Sequence, residues 1–180
     1  MTLLSFHNDE SIKKKYIDRV KAHREADNII QGTGWESGKG CAVGCTLENY
    51  NHSQYPIELG IPEWLARLED EIFEGLSSEE AMDWPLLFLE AIPVGVELEQ
   101  IKIPFLIMVI ESTLECFDYE KYPDPLNCVN KVISLLKDEN STEEEYEKAA
   151  KKAFGTAYAA NAYAAAYAAS AYAAAYAASA

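Results

Sequence analysis

Apolar side chains return every three or four positions near the start of the chain. Ile12, Tyr16, Val20, His23, Asp27 and Ile30 fall on one stripe, which predicts an amphipathic helix from Asp9 to Ile30. His23 and Asp27 interrupt that stripe one turn apart, and Gly32 with Gly34 should end the helix. A Gly-rich stretch over 32–40 follows. The small and apolar residues from Cys41 to Leu47 then predict a short helix with Cys41 and Cys45 on one face. Residues 49–55 are polar and read as a loop.

The pattern restarts at Gly60-Ile61-Pro62-Glu63, where Pro at a first helical position and an adjacent acid mark a helix start. Leu65, Leu68, Ile72 and Phe73 give its apolar face, and Gly75 ends it. Ser77 and Glu80 have the spacing of a capping box for the next helix. Pro85 suits a first turn, of that helix or of a new one after Asp83. Leu86 to Ile92 forms a core segment closed by Pro93 and Gly95. Leu98 to Cys116 is apolar almost all round, as expected of a central helix that kinks or restarts at Pro104. Asp124-Pro125 opens a helix to Leu136, and Ser141 with Glu144 caps another. No segment stands out as a β-hairpin. The pattern therefore predicts an all-α fold, with a compact multi-helix domain over 1–140 and a helical arm over 141–180.

From Ala153 onward the chain is almost wholly Ala and Tyr, with Asn161, Ser170 and Ser179 recurring about every nine residues. Ala-rich composition predicts a helix, with Gly155 as a joint. At helical spacing Tyr158, Tyr172 and Tyr176 share one side, Tyr163 and Tyr167 the other, and Ala-lined strips lie between. A lone helix of this kind would expose its rings, so a protein partner or a second copy is expected, the latter giving a homo-oligomer. The plainer reading is a low-complexity extension.

Charge narrows the functional classes. The formal net charge is -15, and none of it lies in the Ala/Tyr stretch. Such acidity disfavours nucleic acid and anionic membranes as partners. Lys13, Lys14, Lys15, Arg19, Lys21 and Arg24 cluster early and read as the solvated face of the first helix. No signal-peptide pattern opens the chain, and Ile101 to Ile110, interrupted by Lys102 and Pro104, falls short of the ~20 residues of a membrane span. The expectation is a soluble cytoplasmic protein whose four cysteines stay reduced.

Chemistry, if present, should gather around His23, Asp27, Cys41 and Cys45, with His52 nearby. Thiolates with imidazole and carboxylate suit zinc, although a Cys-x-x-x-Cys spacing is not a usual zinc knuckle. A reactive thiol is a second reading: Cys41 lies near a helix start and Lys39, with His23 as base and Asp27 as its orienter. A third is capture of a small anionic ligand or nucleotide by the amides of Gly38, Gly40 and Cys41, with Lys39 and His23. The loop lacks the spacing of a nucleotide-binding P-loop. The plainer alternative makes Cys41 and Cys45 buried packing residues, Gly40 and Gly44 close-approach points, and His23 with Asp27 a structural tie.

Three stretches carry a resemblance. His23–Gly32 followed by Gly40-Cys41-Ala42-Val43-Gly44-Cys45-Thr46-Leu47, then Leu59–Asp70, then Trp84-Pro85 through Ile92-Pro93 resemble a set of uncharacterised proteins from phages and bacterial genomes. Members of that set look as if they often end in Ala-rich repeats. The resemblance implies a phage-related origin and no chemistry. Without a convincing catalytic set, the expected function is a non-enzymatic interaction module directed at a host protein or at its own copies, with a ligand-sequestering protein as the alternative.

Overall fold

The computed structural model describes residues 2–114 and 123–152, apart from 139, 143 and 146. The fold is all-α with one very small sheet, and the chain divides into two units, Met1–Glu99 and Gln100–Ala180. The helical arm expected over 141–180 falls largely outside the described residues. The Ala/Tyr stretch from Ala153 lies outside the described residues, as does Cys116.

In the first unit, helix α1 covers Glu10–Glu25 and buries Tyr16 and Val20 from its apolar stripe. It is shorter than the periodicity suggests. Asp27 takes a left-handed conformation (φ 51), the Asn28 amide donates to the His23 carbonyl at 2.9 Å, and the Asp27 amide donates to that of Arg24 at 3.2 Å. This is a Schellman stop with Asp in the position glycine usually fills. Residues 28–30 then run extended beside Gly40, with Gly40 donating to the Asn28 carbonyl at 3.0 Å and Ile30 to that of Gly40 at 2.8 Å.

The Gly-rich stretch contains a β-hairpin, contrary to expectation. Strand β1 (Trp35–Glu36) pairs antiparallel with β2 (Lys39–Gly40). The loop between them is Ser37-Gly38, both with positive φ (52 and 81), the backbone of a two-residue type I′ turn. Strands of two residues are too short to show alternation, so periodicity could not reveal them.

Helix α2 (Ala42–Leu47) and a short α3 (Tyr55–Leu59) lead into α4 (Glu63–Gly75) and α5 (Ser78–Ala91). The Ser77/Glu80 capping box forms at the start of α5, and Pro85 lies inside that helix. Helix α1 packs against α2 and α5, and α4 against α2 and α5. Phe6, Val43, Tyr55, Leu59, Ile61, Phe73 and Leu89 are fully buried among them. Phe6 enters that core from a left-handed turn over Phe6, His7 and Asn8 (φ 50, 52 and 58). Gly60, at φ +64, lets the turn approach, since a methyl group there would overlap the Leu4 carbonyl.

The second unit pairs α6 (Lys102–Leu114) with α7 (Pro123–Leu136). Leu106, Ile110, Val129, Val132, Ile133 and Leu136 form its aliphatic core. The chain is helical again over 144–145 and 147–152, with Ala150 fully buried and Ala149 packed on that core. The capping box here is Thr142 with Glu145, one residue later than the sequence suggests: Thr142 donates to Glu145 Oε2 at 2.9 Å, and the Glu145 amide returns to Thr142 Oγ1 at 3.4 Å. No helix among the described residues is long and apolar enough to cross a membrane.

Candidate functional site

Helix α4 carries a buried carboxylate that the sequence pattern does not announce. Asp70 is only 8% exposed, on the same face as Ala66 and Phe73. Its Oδ2 accepts from the Tyr50 hydroxyl at 2.9 Å and from His52 Nε2 at 3.1 Å. The Cys41 thiol is a further donor to the same carboxylate. Burial alone would raise the Asp70 pKa, but the hydrogen bonds from His52, Cys41 and Tyr50 outweigh it and hold the carboxyl below its ordinary value. Asp70 thus ties the cap of α2 and the segment before α3 to α4.

Cys41 is the N-cap of α2, its sulfur accepting from the Gly44 amide at 3.5 Å. A helix N-terminus lowers a thiol pKa in an open site. Here burial, and then the Asp70 carboxylate, push it far up. Cys45 is raised to about 11 by burial, and its thiol donates to the Gly40 carbonyl at 3.3 Å. Both thiols are therefore neutral, with no exposed surface, and the reactive-thiol reading loses its nucleophile.

The other expected site residues have partners of their own. The His23 ring meets Trp35 edge-on with centroids 5.3 Å apart, and its Nε2 lies 3.6 Å from Glu48. Asp27 belongs to the turn after α1 rather than to the helical face below His23. Among the described residues no group of three or more His, Cys, Asp or Glu side chains is placed to hold a metal ion. His23, Asp27, Cys41 and Cys45 accordingly do not form a zinc-ligand set in this geometry.

The anion reading meets an opposite arrangement. The Gly40 amide is bonded to Asn28, and the Cys41 amide to the carbonyls of Thr33 (2.7 Å) and Gly34 (3.1 Å). Gly38 serves the hairpin turn, and Lys39 Nζ reaches the Asp27 carbonyl at 3.4 Å. The Gly32 amide does bind an anion, but it is the protein's own Glu74, at 2.8 and 3.1 Å. A cleft of ≈ 290 Å³ beside this loop is lined by Cys41, Tyr50, Asp70, Glu71 and Glu74 together with residues 32–34. Its carboxylates would repel a phosphate. The glycines answer to packing: the Tyr50 ring lies over Gly34, and a methyl group on Gly40 or Gly44 would overlap the Gly34 carbonyl.

Next to Asp70, Glu69 is fully buried and bonded to the Tyr55 hydroxyl at 2.5 Å. Burial raises its pKa to about 8. Two adjacent carboxyls are thus held in opposite states at neutral pH, Asp70 ionised and Glu69 protonated. The sequence reading missed Tyr50, Asp70, Glu69 and Tyr55. The available signal was Glu69-Asp70 lying among Leu65, Ala66 and Phe73 at helical spacing, which reads equally well as the solvated edge of an amphipathic helix. Comparison with protein-family models, with curated proteins and with solved structures finds no match to this chain.

Proposed function

We propose that this protein is a non-enzymatic interaction module, phage-related in origin, that associates with further copies of itself or with a host protein through its Ala/Tyr-rich C-terminal segment. The observation that carries the reading is the uncharged run from Ala153 to Ala180 in a chain of net charge -15. A long uncharged segment whose rings would fall on two sides at helical spacing gains stability only where the rings lose contact with water, at about 25 cal/mol per Å² of apolar area. The polar cluster supports the same reading. Asp70, Tyr50, His52 and Cys41 are engaged with one another, and the thiols are buried and neutral, as in a structural tie. The nucleotide-sequestering alternative draws no support from an acidic cleft whose neighbouring amides are already bonded.

The test is truncation after Gly155. The shortened chain should keep its helical circular dichroism and run as a monomer by light scattering, while the full chain associates as concentration rises. A full chain that stays monomeric at high concentration and captures no partner through this segment would refute the reading.

A further inference from the structure

The two helices of the second unit differ in what they leave exposed. Helix α7 is amphipathic in the ordinary way: Val129, Val132, Ile133 and Leu136 are buried, and Asn127, Asn130, Lys131 and Ser134 are exposed. Helix α6 buries Leu106 and Ile110, yet its outer side is apolar too. Ile101, just before it, is 43% exposed and Met108 is 57% exposed, with Pro104 exposed between them. These three positions follow helical spacing and make one stripe. A helix apolar on two sides is normally covered on two sides.

Three observations name the cover. The chain after α7 returns to the α6/α7 core, where Ala149 packs and Ala150 is fully buried, so the described chain ends, at residue 152, close to this helix pair. Its length suffices: the residues after Gly155, if helical, span roughly 37 Å, against roughly 20 Å for α6. Its character matches, because no charge occurs from Ala153 to Ala180 and Lys102 is the only charge in α6 before Glu111.

We propose that segment 153–180 lies back on its own chain, one Ala/Tyr strip covering Ile101, Pro104 and Met108. This rests on the reading of that segment as the association element and gives it a seat: one set of rings faces α6, and the other set faces outward to a second copy. Ala between the rings lets the two helices approach closely, and burial of the stripe adds to the stability of both.

Photocrosslinking in the full-length chain tests the seat. With Met108 replaced by benzoylphenylalanine, irradiation of dilute monomer should give adducts within one chain, mapping to 156–180. Met108→Glu, at an exposed position that folding tolerates, should speed amide hydrogen exchange of 156–180 by roughly ten-fold or more while leaving residues 2–99 unchanged. Adducts only between chains, adducts that miss the segment, or exchange that is already fast in the wild type or unaltered by Met108→Glu would each overturn the seat. Intrachain adducts in a chain that never associates would uphold the seat and refute self-association. Interchain adducts alone would do the reverse.

Discussion

Among the described residues, the first unit fully buries aromatic rings and a carboxyl group, whereas the buried core of the second is aliphatic, with Phe105 packed at its edge. Tyr16, Tyr55, Phe6 and Phe73 are among the largest fully buried side chains of the first, and Glu69 and Asp70 are buried with them. The second centres on Leu, Ile and Val from two helices, with polar contacts such as Lys137 to Glu111 at its surface. The difference lies in specificity. Aliphatic packing tolerates many arrangements of similar volume. A buried carboxylate admits only those in which its donors arrive together, because each unmade hydrogen bond costs about 1–3 kcal/mol. The first unit is therefore pinned to one geometry around Asp70, and the second is held mainly by volume.

The largest break in this contrast is Phe73→Ala. A fully buried ring between α4 and its neighbours should cost about 3–5 kcal/mol of stability in urea unfolding followed by circular dichroism. A loss below about 1 kcal/mol would mean that this part of the core collapses as freely as a loose aliphatic one.

Asp70→Asn keeps the volume and removes the charge. It should cost about 1.5–3 kcal/mol, the range for hydrogen bonds to a charged group, and should speed exchange around Tyr50 and His52. Equal stability would show that the three donors find other partners and that Asp70 is not the tie described here.

The adjacent carboxyls should respond to pH in opposite directions. Glu69 is protonated in the folded state up to about 8, against an ordinary value of 4.5. Its stabilising contribution is complete below the unfolded value and is lost as pH rises toward 8, at up to about 1.4 kcal/mol per pH unit. Asp70, held below its ordinary value of 3.8, contributes above that value and loses its contribution as pH falls. Glu69→Gln should flatten the stability profile between pH 4.5 and 8 relative to wild type; parallel profiles would contradict the assignment.

Smallest should be the effect of Glu111→Ala in the second unit. Its pair with Lys137, at 3.3 Å with both side chains about half exposed, should be worth no more than about 0.5 kcal/mol. A loss comparable to that of Asp70→Asn would erase the proposed difference between the units.

Helix starts and stops with local chemistry were legible in the sequence. Ser77 with Glu80 caps α5, Gly75 ends α4, and Tyr16 with Val20 forms the buried stripe of α1, because these features depend on residues within one or two turns. The all-α class followed from those signals. Other features were set by distant partners. Asp27 ends α1 in a left-handed turn so that residues 28–30 can run beside Gly40, and a hairpin of two-residue strands carries no periodicity of its own. The candidate site shows the same divide. Cys41 was marked by its place at a helix start, but its partner Asp70, and Tyr50 and His52 that share Asp70, come from other segments. Whether Glu69 and Asp70 face water or a core depends on what packs against α4, and a carboxylate has the same local propensity in either place. The sequence by itself determined most of the helical segments among the described residues, and that the stretch from Ala153 carries no charge. Tertiary structure alone decided that two neighbouring carboxyls lie inside, one neutral and one ionised, because burial and hydrogen-bond donors are properties of the surroundings and not of the residue.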